Sequence, residues 1–255
     1  MEKVLKYPRT PHIEGSNLQD GDYDLSQISF SYLKDKYLVI EEKVDGSNVG
    51  ISFQNGELLL QNRSHYLEGG YKEKQYDLFK LWVNSFKDDF YNIIGNRYII
   101  YGEWMYAKHN IFYDSLPHYF LEFDVYDKEE KVFLDTKRRQ ELLKNLTIVS
   151  SVPVLKEGYF KSYKDVINLV GESKYISSNV LDNYSKIDSK YKDSITSSRL
   201  MEGIYIKVEE DGVVKERFKF VRRAFKQVQE DNNSFFSRPI IPNMLDKEID
   251  DLFVK

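Results

Sequence analysis

Two tight-turn dipeptides constrain the fold of this 255-residue chain more than any other feature. Asn55-Gly56 and Asp211-Gly212 each separate two short runs that are rich in apolar and β-branched residues. Such dipeptides favour the two-residue turns of antiparallel hairpins, because both turn residues readily adopt positive φ angles. The chain is therefore expected to contain at least two antiparallel strand pairs, which argues against a regular alternation of parallel strands and helices.

The rest of the pattern predicts further strands with helices inserted between them. Strands are predicted at 37–43, 49–53, 57–63, 97–106, 118–127, 201–210 and 214–222. Helical periodicity covers 71–90 and 136–146, the latter with Asp135 or Thr136 as its N-cap, and a short amphipathic helix is expected from about 242 onward. The polar stretch 161–198 is expected to hold two short helices. This order predicts an α+β fold with mainly antiparallel sheets.

Composition and charge exclude several classes of protein. The chain has no cysteine, so disulfides, thiol catalysis and cysteine-ligated zinc are excluded. A net charge of −4 argues against broad coating of nucleic acid but is compatible with a local basic groove. No apolar run approaches the length of a membrane span, and the first residues lack the apolar segment of a signal peptide. We therefore expect a cytoplasmic protein with no membrane association.

A lysine between a predicted strand and a polar turn is the first candidate functional residue. Lys43 follows the apolar run YLVI and precedes the turn DGSN. Lysine is depleted in strands, so this position indicates either a solvated hairpin corner or a nucleophile. A lysine amine attacks only when it is neutral, and its ordinary pKa is about 10.4. Burial and neighbouring cations lower that pKa, so a nucleophilic Lys43 predicts other cationic side chains nearby.

Charged residues within predicted strands supply further candidates. Glu103 lies among apolar neighbours in IIYGEW, where an unpaired carboxylate would be costly. An ion pair, a ligand hydroxyl group or a hydrated metal ion would each explain its position. Arg217 and Lys219 alternate with Phe218 and Phe220, so the two cations share one face of a strand. We expect that face to meet phosphate groups and the phenylalanines to lie in the core.

The chain resembles a known superfamily. Lys43-Val44-Asp45-Gly46 matches the K-x-D-G nucleophile motif of the covalent nucleotidyltransferases, which are DNA ligases, RNA ligases and mRNA capping enzymes. Later segments resemble the remaining motifs in order: LLLQNRSHYL, YGEWMY, YFLEFDVYD, MEGIYIKVE and ERFKF. The spacings of Arg63 and Glu103 from Lys43 resemble those of the RNA ligase 2 branch. YPRTPHIEGS and SRPIIPN are similar to the two ends of bacterial and phage RNA ligase family proteins, so the resemblance covers nearly the whole chain.

This resemblance implies a particular architecture. It implies the nucleotidyltransferase, ATP-grasp-like ligase fold, in which two antiparallel sheets flank a nucleotide cleft. Lys43 and Lys219 are expected side by side on the floor of that cleft. We expect a single adenylyltransferase domain over 1–255 with a helical insert at about 135–200. Only 36 residues follow Lys219, which is too few for an appended OB domain.

The resemblance also implies an ATP-dependent RNA ligase. Lys43 would attack the α-phosphorus of ATP to form lysyl-AMP, AMP would pass to an RNA 5′-phosphate, and a 3′-hydroxyl would seal the strand and release AMP. The implied catalytic residues are Lys43, Lys219 and Arg217. The implied nucleotide-binding residues are Glu42, Asp45, Gly46, Asn48, Arg63, Glu103, Phe123, Glu202, Arg217 and Lys219. Mg²⁺ or Mn²⁺ would be held by Glu103 and Glu202, which supply hard oxygen ligands.

Several assignments stay open within this interpretation. Phe123 would stack on adenine, with Phe120 as the rival for that role. His12 and His65 are candidate phosphate or substrate contacts, with structural roles as the alternative. Arg222 and Arg223 would extend the cationic patch toward RNA or form a solvated basic run. Because the family more often has lysine at both positions of the last motif, Lys219 is given the larger role and Arg217 the smaller one.

Other functions compete with RNA sealing. A DNA nick-sealing ligase, an adenylyltransferase with another acceptor, and a non-catalytic nucleotide- or RNA-binding module are the alternatives. Every reactive position holds a competent residue, which favours an enzyme. The expected partners are RNA with 5′-phosphate and 3′-hydroxyl ends and an accessory protein that would replace a substrate domain, and the protein is expected to be a monomer. The sequence leaves open whether the RNA is a nicked duplex, a broken tRNA or a single strand.

Overall fold

The computed structural model describes residues 3–18, 27–187, 198–223 and 240–255, and most of their strands form two sheets. Sheet A has the spatial order β10-β3-β11-β12-β1-β2. Its strands are β1 (His12–Ile13), β2 (Gln27–Ile28), β3 (Leu38–Lys43), β10 (Val154–Gly158), β11 (Gly203–Glu210) and β12 (Val213–Val221). Neighbouring strands from β10 to β12 are antiparallel, whereas β1 is parallel to both β12 and β2.

Sheet B contains the hairpin that turns at Asn55-Gly56. Its main path has the order β5-β4-β6-β7-β8, and β9 pairs with β7 beside that path. Its strands are β4 (Ser47–Gln54), β5 (Glu57–Asn62), β6 (Tyr98–Trp104), β7 (Phe120–Asp127), β8 (Val132–Phe133) and β9 (Ser150–Ser151). All pairs along the main path are antiparallel, and β7 with β9 is parallel. The prediction of an α+β fold with two mainly antiparallel sheets is confirmed.

Both predicted hairpin turns are present. Asn55 and Gly56 have φ angles of 52° and 81° and join β4 to β5. Asp211 and Gly212 have φ angles of 54° and 79° and join β11 to β12. Two consecutive positive φ angles match the twist of an antiparallel pair, which explains why glycine occupies the second position of each turn.

The helices differ from the predicted ones in their boundaries. They are α1 (Asp77–Ser85), α2 (Lys87–Ile94), α3 (Thr136–Leu143), α4 (Tyr163–Ile167) and α5 (Val180–Ile187), with 3₁₀ turns at Phe30–Tyr32, Tyr71–Tyr76 and Ile249–Phe253. The single helix predicted over 71–90 is broken at Phe86, whose φ of −118° leaves the helical region. The tail helix expected from 242 is the 3₁₀ turn near the end of the chain. None of the helices in the described ranges is long and apolar enough to cross a membrane.

The segment at 135–200 contains strands as well as helices. Asp135 caps α3, since its side chain accepts a hydrogen bond from the Arg138 amide at 2.7 Å. Between α3 and α4 the chain adds β9 to sheet B and β10 to the edge of sheet A. The expectation of a helical insert at about 135–200 therefore missed two strands. Their sequences, SS and VLKEG, carry no clear alternation of apolar and polar residues because they lie at sheet edges.

The apolar cores lie mainly on the outer faces of the two sheets. Sheet B packs against α1 and α2 through large buried side chains such as Phe79, Trp82 and Phe120. The outer face of sheet A buries Phe218 and Phe220 in a second cluster with residues of β3 and β11. The alternation predicted for β12 is thus confirmed on its apolar side, and its cations point toward the layer between the sheets.

A network of buried charges joins the two sheets. Arg139 of α3 contacts Glu41 of β3 at 2.7 Å and Glu122 of β7 at 3.4 Å. Lys207 of β11 contacts Glu41 at 2.8 Å and Asp124 of β7 at 3.1 Å. All five side chains are almost fully buried. Because each charge has an opposite partner from another element, this network fixes β3, β7, β11 and α3 relative to one another.

Candidate active site

Lys43 lies where the chain passes from one sheet to the other. It is the last residue of β3, and β4 of sheet B begins only four residues later. Its side chain is 14% exposed, and its Nζ lies 2.5 Å from Oε2 of the buried Glu202. Glu202 directly precedes β11, where Gly203 is the register partner of Lys43. Antiparallel pairing of β3 with β11 therefore brings together two motif residues that lie 159 positions apart.

The carboxylates around Lys43 determine its protonation. Burial lowers the pKa of Lys43, but the charge of Glu202, followed by Tyr205 and Asp45, outweighs that effect and raises the pKa above its ordinary value. The expectation that cations keep this amine neutral is wrong for this structure. The physical reason is that the nearest charged partner is a carboxylate at hydrogen-bond distance, and such a partner stabilises the ammonium form.

Lys219 shares a face of sheet A with Lys43 but is not beside it. The two residues lie on β12 and β3, which β11 separates, and Tyr205 is the register partner of Lys219. Two strand spacings amount to roughly 10 Å between the two backbones, so the side chains would have to converge across β11 for the two amines to lie side by side. Gly203 has no side chain at the level of Lys43, and a Cβ there would lie 1.9 Å from the Phe220 carbonyl oxygen.

Glu103 of β6 faces the same region from sheet B. Its carboxylate accepts a hydrogen bond from the Gly46 amide at 3.2 Å. Burial raises the pKa of Glu103 to about 8, and Asp45 and Glu202 add to the rise, while Lys43 opposes it. The charges of Lys43 and Glu202 therefore both act on Glu103. A cation bound beside Glu103 would lower this pKa and displace the proton.

The K-x-D-G turn is held in one conformation by its neighbours. Asp45 accepts hydrogen bonds from the amides of Asn110 and Ile111 at 2.8 and 3.0 Å. Asp45 therefore fastens the turn to the segment at 110–111. Gly46 lies so close to β6 that an added Cβ would be 2.8 Å from both the Trp104 carbonyl oxygen and the Met105 sulfur. This close contact explains the glycine in structural terms.

Asn48 and Arg63 extend the site along the edge of sheet B. Asn48 is the register partner of Glu103, and its buried Oδ1 has no hydrogen-bond partner among the residues that the structure describes. Arg63 follows the last residue of β5, and the pairing of Val49 with Asn62 places it next to Asn48. Arg63 is exposed, with no ion pair to any described residue. Glu103, Asn48 and Arg63 therefore form a row across three neighbouring strands, and the exposed Arg63 is its solvent end.

Phe123 and Phe120 have different environments. Phe120 is buried against α1, where its ring stacks on Phe79 at 5.9 Å. Phe123 is partly buried and lines a cavity between the sheets, where the ring of Tyr7 meets it edge-on at 5.1 Å. Other residues lining this cavity include Glu41, Glu42, Glu103, Tyr205 and Lys207. Phe123 is therefore the phenylalanine that a base in the cleft could reach.

Glu42 lies next to Lys43 in sequence and also contributes to the cavity wall. It is almost fully buried, and burial raises its pKa to about 6, while a hydrogen bond from Ser173 and the charge of Lys174 oppose the rise. Its Oε1 has no hydrogen-bond partner in the described part of the chain. Glu42 thus retains an unused acceptor inside the site.

Arg217 is not brought to Lys43. Its NH2 lies 3.5 Å from Asp124, and its guanidinium lies over the rings of Phe133 and Tyr7, 4.0 and 5.2 Å from their centroids. Arg217 therefore extends the buried charge network. This position favours a role in holding β12 against sheet B over direct contact with phosphate groups.

Three of the four histidines have side-chain contacts that the structure describes. His118 is buried against Trp82, and burial lowers its pKa to about 3. His65 is exposed, with ring contacts to Ser64 at 2.9 Å and Glu73 at 3.5 Å. His109 contacts the Ser47 hydroxyl at 3.2 Å, near the Lys43 turn. Within the described ranges, no group of three histidine or carboxylate side chains forms a ready metal site.

Sequence reasoning missed the residues that hold the site together. Arg139, Lys207 and Tyr7 fix the position of Phe123: Lys207 Nζ lies 2.5 Å from its carbonyl oxygen, and Arg139 donates to the same oxygen. Lys207 was detectable as a lysine inside an apolar strand, IYIKV. Arg139 lies in a charged helix, KRRQE, where nothing in the sequence separates it from its exposed neighbours.

Replacing Glu103 by glutamine is expected to stabilise the protein most at alkaline pH. From its ordinary pKa of 4.5 up to about 8, the carboxyl ionises in the unfolded chain while the folded protein keeps it protonated. Rising pH therefore favours unfolding in this window, and glutamine removes the effect while still accepting the Gly46 hydrogen bond. We expect a gain of about 2 kcal/mol at pH 8 and almost none at pH 5. Urea unfolding at both pH values measures this, and equal effects at the two pH values would contradict it.

Comparison with solved structures identifies the fold. The chain aligns with a mutant of Naegleria gruberi RNA ligase with ATP and Mn at a TM-score of 0.54 and 15% identity, covering 93% of this chain and 61% of that one. A structure of the same ligase with PPi gives 0.53 and 17%, covering 88% and 62%. A mutant with AMP and Mn gives 0.51 and 16%, covering 82% and 53%. This chain thus spans between about half and two thirds of the length of those proteins, and its fold is that of RNA ligase structures.

The family is established independently by sequence. The profile of the family described as RNA ligase matches residues 36–227. The chain therefore belongs to the RNA ligase family. No curated protein matches it.

Proposed function

We propose that this protein is an ATP-dependent RNA ligase with Lys43 as its nucleophile. The observation that carries the proposal is the placement of Lys43 against Glu202 and close to Glu103, beside a cavity that Phe123 lines. Membership of the RNA ligase family supports ligation. The ATP, AMP and Mn found with the Naegleria ligase support the choice of nucleotide and metal.

In the first step, the amine of Lys43 must lose a proton before it attacks. Glu202 Oε2, at 2.5 Å from Nζ, is the acceptor placed to take that proton. The neutral amine then forms a bond to the α-phosphorus of ATP, and the bond from phosphorus to the pyrophosphate oxygen breaks, with its electron pair leaving on pyrophosphate. Burial of Lys43 assists by favouring the neutral amine once the negative charge of Glu202 is offset.

The surrounding residues bind the nucleotide. Phe123 would stack on the adenine ring, held there by the contacts to its carbonyl oxygen. Asn48 and Arg63, on the row that leads to solvent, would bind ribose or phosphate oxygens. Lys219 lies on β12, on the other side of β11 from Lys43, and would offset negative charge on the phosphates from there.

The carboxylates of the site fit a divalent cation. Glu103 and Glu202 offer hard oxygen ligands, and a cation bound there would favour the ionised form of Glu103, whose pKa burial raises to about 8. Bound Mg²⁺ or Mn²⁺ would offset the charge that develops on the phosphates during transfer.

The later steps would use the same cleft. An oxygen of the RNA 5′-phosphate would attack the phosphorus of lysyl-AMP, and the bond from phosphorus to the Lys43 nitrogen would break, which returns the amine. A 3′-hydroxyl would then lose its proton and attack the 5′-phosphorus of the RNA, and the bond from that phosphorus to AMP would break, which seals the strand and releases AMP. The exposed end of the row at Arg63 is where a polynucleotide could approach.

Labelled nucleotides test this function. The protein is incubated with ATP labelled at the α-phosphate and Mn²⁺ or Mg²⁺, and then with 5′-phosphorylated RNA or DNA nicks. We expect label on the protein from ATP but not from GTP, followed by its transfer to RNA and by strand sealing. Label that passes only to DNA would indicate a DNA nick-sealing ligase. Nucleotide binding without covalent label would indicate a non-catalytic binding module and contradict the proposal.

A further inference from the structure

The last part of the chain packs against a loop next to the Lys43 turn. The RNA ligase profile matches residues 36–227, so the tail segment, residues 240–246, lies outside the family match. It runs beside the β6–β7 loop, residues 105–119. Backbone hydrogen bonds join the two along their length, between Lys108 and Ile241, Tyr113 and Met244, Leu116 and Met244, and Leu116 and Asp246. The tail segment therefore fixes the path of this loop.

The β6–β7 loop in turn holds the turn that follows Lys43. The hydroxyl of the fully buried Tyr113 accepts a hydrogen bond from the Asp45 amide at 2.9 Å. The amides of Asn110 and Ile111 donate to the carboxylate of the same residue. The loop thus holds Asp45 by its backbone as well as by its side chain. The position of the turn, two residues after the candidate nucleophile, therefore depends on where the loop places Tyr113.

Asn243, the last residue of the stretch SRPIIPN, fixes two points of the loop at once. Its Oδ1 accepts a hydrogen bond from the Tyr113 amide at 2.9 Å, and its Nδ2 donates to the Met105 carbonyl at 2.6 Å. Asn243 is 1% exposed, so these buried backbone groups obtain their partners from one side chain. An amide fits this position because it combines a donor with an acceptor, whereas a carboxylate lacks the donor.

We propose that Asn243 and Tyr113 are positioning residues for the Lys43 nucleophile. The path runs from the Asn243 amide through Tyr113 to the Asp45 amide, and each step is a hydrogen bond between buried groups. Because both residues act through the turn, they should affect the rate of attack more than nucleotide binding. A displacement of about 1 Å can slow such an attack about 100-fold. This inference rests on the proposed function and adds to it a residue from outside the family match.

Tyr113→Phe tests this path with the smallest change. It keeps the buried ring and removes the hydroxyl that accepts from Asp45. We expect lysyl-AMP formation at saturating ATP to slow about 10- to 100-fold, with the ATP concentration for half-maximal rate within about threefold of wild type. Asn243→Ala should slow the same step, since it releases the Tyr113 amide; if that variant does not fold, Tyr113→Phe alone decides. Wild-type rates in Tyr113→Phe would overturn the proposal.

A control in the same part of the chain separates positioning from loss of stability. Leu252 lies in the 3₁₀ turn near the end of the chain, is 2% exposed and packs in the core of sheet B. Leu252→Ala leaves a cavity and should lower the Tm without slowing lysyl-AMP formation at a temperature well below it. An equal slowing in Leu252→Ala and Asn243→Ala would show that the tail acts through stability alone and would overturn the proposal.

Combining the two substitutions tests whether they act along one path. Asn243→Ala together with Tyr113→Phe should slow the step little more than the more severe single variant does, because both interrupt the same connection. Losses that multiply would show two independent effects and contradict the proposed path. Rates that stay at the wild-type value in every variant overturn this inference alone, because the wild-type protein then still forms lysyl-AMP. If wild type forms none, the proposed function fails and this inference fails with it.

Discussion

Replacing Lys43 with alanine is expected to reduce covalent attachment of AMP by at least about 1,000-fold, which removes it from detection. The reason is geometric. The amine of Lys43 contacts Glu202, whereas Lys219 lies on β12 and is separated from the Lys43 strand by β11. Incubation with α-labelled ATP and Mn²⁺, followed by denaturing electrophoresis, measures the effect.

Two control variants make this result specific. Lys34→Ala removes an exposed lysine far from the cleft and should label like wild type. Lys43→Arg keeps a cation beside Glu202 and should fold normally without forming the adduct, because a guanidinium is not deprotonated near neutral pH. Persistent label in Lys43→Ala would show that another residue is the nucleophile.

Replacing Arg139 with alanine is expected to lower the free energy of unfolding by about 3–5 kcal/mol. Arg139 is 1% exposed and pairs with Glu41 and Glu122, which are equally buried. Burial lowers the pKa of Arg139, but the charges of Glu122, Glu41 and Asp124 outweigh it and raise the pKa overall. Removing the guanidinium leaves buried carboxylates without this partner. Urea unfolding monitored by circular dichroism measures the loss.

The neighbouring arginine provides the matched control. Arg138 is 36% exposed and pairs with Glu130 at 3.3 Å, so Arg138→Ala should cost less than about 1 kcal/mol. Combining Arg139→Met with Glu122→Gln should recover part of the loss, since Glu122 then carries no unpaired charge and Glu41 keeps Lys207 as its partner. A cost for Arg139→Ala no larger than that for Arg138→Ala would contradict the account.

The sequence predicted the parts of the fold that depend on local chemistry. The turns at Asn55-Gly56 and Asp211-Gly212 require positive φ angles, and the alternation in β12 requires one apolar face, so both were readable. The break at Phe86 was not, because the apolar periodicity continues through it and only tertiary packing stops the helix. The edge strand β10 lacked a pattern because edge positions are only partly buried.

The sequence motifs predicted which residues form the candidate site. They did not predict the protonation of those residues or their contacts, because these depend on neighbouring side chains from distant parts of the chain. Lys43, Glu202 and Glu103 come together as expected. The pKa of Lys43 moves opposite to the expectation, since the sequence alone did not show that Glu202 would contact the amine itself. Arg217 looked like a phosphate ligand in the motif, but Asp124, Tyr7 and Phe133 surround it in the fold. The motif predicted the residues and not their contacts.

Locating the adduct on the wild-type protein tests the central claim most directly. The protein is incubated with ATP and Mn²⁺, digested at alkaline pH to preserve a phosphoramidate, and analysed by peptide mass spectrometry. The account predicts one AMP group on the peptide that contains Lys43, with the modification on that side chain. AMP attached to any other residue, or no AMP-bearing peptide when nucleotide binding is demonstrated in parallel, would contradict it.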